Sequence, residues 1–238
     1  MACHAHDRKT AGGACAIIAG MEHTPVILAS ASPRRRRLLA WLGLPYDSIA
    51  TETDEDLSSP LRRVPPVLAR SLAAEKARAA RTSAGVNRAT VLAFDTIVVL
   101  DREVLGKPAD RADAARMLGE LSGRSHSVIT GVAVLHEGQA EPVTFAVTTP
   151  VEMRELDDET VAEWLAGDEA LGCAGAYNIE KHLASVEDGE CHQNVAGLPL
   201  CHLYEKLKRA GVEGLEAPVS ACETARGVEC ALGRRLCR

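Results

Sequence analysis

Asp95 and Thr96 interrupt an otherwise apolar run, T-V-L-A-F-D-T-I-V-V-L, of the kind that forms a strand buried on both faces. An isolated carboxylate in such a strand is expensive unless it is neutralised or paired. Asp95 therefore points to a catalytic or metal-linked role, the alternative being a structural, hydrogen-bonded aspartate. Groups suited to phosphate chemistry lie on either side of it. In residues 26–43, V-I-L-A-S-A-S-P-R-R-R-R-L-L-A-W-L-G, a short apolar run ends at Ser30, and Ser32-Pro33 has the order of a helix N-cap and first helical position. Arg34 and Arg35 then sit at the positive end of the helix dipole, where local stability favours acids. They suit an anionic ligand such as a phosphate, or else form a solvated basic face. Lys76 continues the row of Leu68 and Leu72 on an alanine-rich helix, and either snorkels to water or points into a site that this face abuts. Lys107, between Gly106 and Pro108, has its backbone held while its side chain reaches outward, to a phosphate or to solvent. Asp54 and Glu55 centre an acidic loop that is either solvated or holds a divalent cation through oxygen ligands and waters.

These residues require a scaffold of strands and helices. Val26 to Ala29 reads as a strand, and the helix after it should run from Pro33 to Gly43, burying Leu38, Trp41 and Leu42. P-Y-D-S-I is a second short strand, residues 66–81 a helix, and 91–100 the buried strand that carries Asp95. Asp110 can cap a helix whose Ala114, Met117, Leu118 and Leu121 have helical spacing. Two strand-like runs joined by E-G-Q-A-E make an antiparallel hairpin, and Asp157 or Asp158 starts a helix with Val161, Trp164 and Leu165 inside. G-C-A-G-A-Y-N-I-E reads as a small-residue turn into a strand, followed by an amphipathic helix with Leu203, Tyr204 and Leu207. Elements mixed without strict alternation imply an α/β (mixed α+β) fold with a mixed sheet. Residues 1–23 read as a disordered N-terminal extension, with Met21 a candidate natural start; 24–211 form the domain, and 212–238 a C-terminal tail with no core face.

The chain has 238 residues, enough for a proper core without disulfides or metal. A net charge of −6 argues against a nucleic-acid polymer as partner but leaves room for a small anion. No apolar run approaches the roughly 18–20 residues that span a bilayer, and the amino terminus makes a poor export signal, so a cytoplasmic protein is expected. The eight cysteines lack any C-x-x-C pair and read as free thiols. Cys173, His182, Cys191, His192, Cys201 and His202 do gather in one third of the chain, which leaves a zinc site as an alternative without the close pairing that would make it compelling.

Taken together, L-A-S-A-S-P-R-R, E-T-D-E, E-K-A-R-A, D-T-I-V, L-G-K-P, S-G-R-S-H-S-V-I-T-G, A-G-A-Y and G-L-P-L, in this order between residues 26 and 210, resemble the Maf family of nucleoside triphosphate pyrophosphatases. The resemblance implies hydrolysis between the α and β phosphates of a nucleoside triphosphate, with a divalent cation, Mg2+ or Mn2+, as cofactor. It implies a fold similar to inosine triphosphate pyrophosphatases, an elongated two-lobed homodimer-forming molecule around a long mixed sheet. It makes Asp95 the proton acceptor, places Ser30, Arg34, Arg35, Lys76 and Lys107 around the triphosphate, and puts Asp54 and Glu55 near the metal. Arg34 and Thr96 match the subgroup that prefers dTTP and UTP. Glu180 departs from it, since that subgroup has glutamine there; an ionised carboxylate only accepts hydrogen bonds, whereas an amide also donates. A non-enzymatic nucleotide-binding regulator of septum formation is the alternative in a different class.

Overall fold

The apolar run around Asp95 forms the strand about which the other elements are arranged. The structure, a computed structural model, describes residues 25–51, 56–85 and 88–238. Its central strand β3 (Thr90–Leu100) is buried along nearly its whole length. Strand β1 (Val26–Ala29) pairs parallel to β3 on one side and to β2 (Tyr46–Ile49) on the other. The hairpin expected from the sequence is β5 (Ser125–Leu135) with β6 (Val143–Met153), and β5 runs antiparallel to β3 along its opposite edge. β4 (Glu103–Leu105) returns onto the end of β3, and the two-residue β7 (Ala184–Ser185) extends β6. Among the described residues these strands make one seven-stranded mixed sheet in the order β2-β1-β3-β5-β6-β7, with β4 alongside β3. The expected mixed sheet flanked by helices is thus present.

Helices cover both faces. On one, α2 (Pro65–Ala84) lays Leu68, Ala69, Leu72, Ala73, Ala77 and Ala80 on the sheet, all buried. The alanines let this helix come close, and Gly131 on β5 completes the approach: a Cβ there would lie 2.1 Å from the Ala69 carbonyl oxygen. Gly131 is also the register partner of Asp95, so the contact that brings α2 near the sheet sits beside the carboxylate. The other face carries α1 (Pro33–Leu39) and α6 (Leu200–Arg209), with Leu38, Leu39, Leu203 and Leu207 packed on Leu28, Leu92, Phe94 and Val132. The helix expected to reach Gly43 is α only to Leu39; Ala40–Leu42 tighten into a 3₁₀ turn before Gly43 ends it at a left-handed φ of 70°. Helices α3 (Arg111–Leu121) and α4 (Asp158–Leu165) are capped by Asp110 and Asp157, each accepting from a backbone N–H three residues on.

Two expectations need correction. The segment after Gly172 does not enter a strand: it makes 3₁₀ turns at Ala174–Ala176 and Ile179–Lys181. Gly175 and Ala176 both take positive φ, which breaks an extended run, and Trp164 Nε1 donating to Ala176 O at 2.7 Å holds the turn. Residues 212–238 are not without a core face. They form α7 (Val219–Arg226) and α8 (Ala231–Leu236), whose Cys222 and Leu232 are buried, Leu232 against Val147 and Cys191. Helices of eight and six residues bury one or two apolar side chains each, too few to display a period, and cysteine serves here as a small hydrophobe. No described helix is long and apolar enough to cross a membrane.

Short α5 (His192–Val195) carries a pH liability. Burial, with Arg226 and His182 nearby, pulls the His192 pKa from 6.5 down to about 4. The unfolded chain therefore binds more protons between those values, so stability is complete above about 6.5 and is lost as the pH falls toward about 4. Thermal melts across that window are expected to show this decline, and His192→Asn is expected to flatten it; an unchanged slope would remove His192 as its source.

Candidate active site

The cleft arises from a gap in strand pairing. Pairing of β1 with β3 ends at Ala29 opposite Ala93, and β4 joins β3 only from Val98. Between them, the edge of β3 from Phe94 to Ile97 has no neighbour among the described strands. Side chains from both faces of the sheet reach this notch at the carboxyl end of β1, the position at which open α/β sheets bind ligands. A cleft of about 830 Å³ lies over it, lined among others by Ser30, Arg34, Arg35, Lys76, Lys107 and Asp95. Thr96 and Glu180 line it too. All the sequence-derived candidates within the described residues thus meet in one place; Asp54 and Glu55 lie outside those residues, as does Met21.

Asp95 points to the α2 face, where Lys76 makes an ion pair with its Oδ1. The side chains are 10% and 2% exposed, so the Leu68–Leu72–Lys76 row does not end in water but turns its ammonium onto the carboxylate. Removal of two charges from water is offset only when they are closely paired. The other oxygen, Oδ2, is buried with no hydrogen-bond partner. A carboxylate held ionised by one oxygen and unpartnered at the other can accept a proton.

Thr96 faces the opposite side, and its hydroxyl is directionally fixed. Thr130 Oγ1 donates to Asn194 O at 3.0 Å, which spends its single proton. The 3.0 Å contact between the two threonine hydroxyls must then run from Thr96 to Thr130. Arg35 Nη2 donates to Thr96 Oγ1 at 2.9 Å, leaving Thr96 only acceptor capacity toward the cleft. Arg35 is accordingly more than a phosphate contact: its Nε donates to Gly197 O at 2.9 Å and its guanidinium stacks 5.9 Å over Phe94. Gly197 has φ +98°, and a side chain there would crowd both Arg35 and Thr96. Arg35 thereby fastens the G-L-P-L turn to β3.

Ser32 caps α1 by accepting from Arg35 N at 3.4 Å, and Ser30 Oγ accepts from Ser32 N at 3.2 Å. Arg34 Nη1 lies 3.5 Å from Glu169 Oε1, while its Nε is buried and donates to nothing. One turn further along α1, Arg37 pairs with Glu180. Glu169 also accepts from Asn178 Nδ2 at 2.5 Å, and Asn178 Oδ1 accepts from Glu180 N at 3.1 Å. The wall formed by residues 169–181 is therefore tied internally and clasped to α1.

Cys173 and Tyr177 line the same cleft, but burial raises both pKa values and keeps them protonated. Among the described residues no three His, Cys, Asp or Glu side chains come together as a metal-binding group, so the zinc alternative finds no cluster. The six described cysteines are free.

Comparison with known proteins agrees with this geometry. The family model described as Maf-like protein matches residues 25–210. A dTTP/UTP pyrophosphatase of Syntrophotalea carbinolica is 42% identical over 196 residues, which covers 81% of this chain and 87% of that protein. One from Moorella thermoacetica is 45% identical over 79% of this chain and 96% of its own. One from Geobacter sulfurreducens is 41% identical over 80% and 99%.

Proposed function

The chain belongs to the Maf-like protein family, and on that premise we propose that its cleft hydrolyses nucleoside triphosphates between the α and β phosphates, releasing the monophosphate and pyrophosphate. It is a hydrolase acting on acid anhydrides, like the relatives named dTTP/UTP pyrophosphatase. The observation that carries the reading is the buried Asp95–Lys76 pair with its unpartnered Oδ2, set in a cleft rich in cationic groups.

Asp95 Oδ2 takes a proton from water, whose oxygen forms a bond to the α phosphorus. The bond from that phosphorus to the bridging oxygen breaks, and its electron pair leaves with pyrophosphate. Arg34, whose buried Nε has no partner, and Lys107 at the cleft wall counter the charge growing on the leaving group. Ser30 and Arg35 position the triphosphate, and Lys76 keeps Asp95 ionised and oriented.

A divalent cation fits this donor set. The acids lining the cleft offer hard oxygen ligands, whereas its one thiol, Cys173, stays protonated, which suits Mg2+ or Mn2+ over a soft ion. Asp54 and Glu55 are proposed to hold it beside the phosphates. When bound, the cation neutralises phosphate charge.

Among bases we favour uracil and thymine, on the match of Arg34 and Thr96 and on the relatives' printed specificity. The reading is tested by a triphosphate panel with magnesium, manganese and cobalt, with both products identified. Monophosphate and pyrophosphate are expected, fastest from UTP and dTTP. Diphosphate with orthophosphate would overturn the bond assignment, and equal rates on purine nucleotides would overturn the base preference.

A further inference from the structure

Glu180 alone is a poor reader of a uracil or thymine ring. The imide edge of those bases presents a carbonyl acceptor next to an N–H donor, and a carboxylate can answer only the donor. A bare carboxylate at the mouth of a triphosphate cleft would also repel the substrate. The structure resolves both difficulties with Arg37. Its guanidinium pairs with Glu180 Oε1, and both side chains line the cleft. Arg37 belongs to α1 and Glu180 to the turn at Ile179–Lys181, so the pair spans the two walls of the mouth.

We propose that Arg37 and Glu180 act together as a two-residue replacement for an amide, reading the imide edge of a uracil or thymine nucleotide, with Arg37 donating to the ring carbonyl and Glu180 accepting from the ring N–H. This rests on the proposed function and names the base-reading device within it. The chemistry follows from the inventory of each group: guanidinium is donor-only, ionised carboxylate is acceptor-only, and side by side they offer what one amide offers. Orientation is supplied from behind. Asn178 holds the Glu180 backbone, and its own amide is anchored on Glu169, which also faces Arg34. The pair is half-exposed, 52% for Arg37 and 33% for Glu180, so its removal should disturb folding little.

UTP and CTP are the appropriate probes, because they are equal in size and charge and differ by exchange of donor and acceptor at this edge. The full chain and its variants are compared by kcat/KM for both nucleotides, and by equilibrium binding of both in calorimetry. The wild type is expected to favour UTP. Arg37→Met is expected to lower the UTP-to-CTP ratio by about tenfold, the effect of losing one well-placed hydrogen bond, with the loss in KM. Arg37→Met combined with Glu180→Gln is expected to restore the ratio, since the amide supplies donor and acceptor alone. A ratio unmoved by Arg37→Met, or one that the added glutamine leaves unrestored, would overturn the proposal. A wild type that binds UTP over CTP yet releases no pyrophosphate would instead overturn the catalytic reading and leave the base-reading test intact.

Discussion

Asp95→Asn is expected to lower kcat by roughly 10³-fold, within the range that a positioned general base contributes. The amide has nearly the same shape and still offers an oxygen to Lys76, so folding should survive. What it lacks is the ability to take the water proton at the oxygen that is buried without a partner in the native chain. Nucleotide binding should persist, because the groups around the triphosphate are untouched. Steady-state kinetics with a binding measurement on the same preparation checks this. A variant that keeps more than about a tenth of wild-type kcat would remove Asp95 from the role of base.

The second large effect is expected at Lys76. Lys76→Met fills similar volume but strands a carboxylate that is only 2% exposed. Breaking a buried pair by removing one partner costs about 3–5 kcal/mol. For a chain of this size that is roughly 6–20 °C in Tm. Activity should fall as well, since the carboxylate loses the charge that holds it. Thermal melting separates the two variants: Asp95→Asn should be inactive at near-native Tm, and Lys76→Met should be both inactive and markedly less stable. A Tm within 2 °C of wild type for Lys76→Met would mean that the pair contributes little to folding.

Sequence reasoning reached the participants of this pair by local pattern. A charged residue inside a doubly buried strand and a lysine four residues beyond Leu72 on an apolar row are both visible along the chain. Their meeting was not, because it depends on how closely α2 approaches the sheet, which Gly131 on a distant strand permits. The cleft itself was equally hidden: it is the interval between the end of β1 pairing and the start of β4 pairing, a property of register. Arg35 looked like a phosphate ligand from its place at the helix start. Its bonds to Thr96 and Gly197 come from residues far away in sequence and give it a structural task as well. Arg37 was passed over because an arginine in a run of four has no local distinction, and its partner Glu180 lies on the opposite wall. The helices after Gly211 were missed for another reason, since cysteine and glycine carry the packing there and do not register as a hydrophobic period.

Hydrolysis in water enriched with ¹⁸O tests the central claim most directly. Attack of an Asp95-activated water on the α phosphorus must leave the label in the nucleoside monophosphate and none in pyrophosphate. Mass spectrometry of both products from UTP should show one labelled oxygen in UMP, and the same reaction with Asp95→Asn should show almost no labelled UMP. Label in pyrophosphate would place the attack on the β phosphorus and contradict the account.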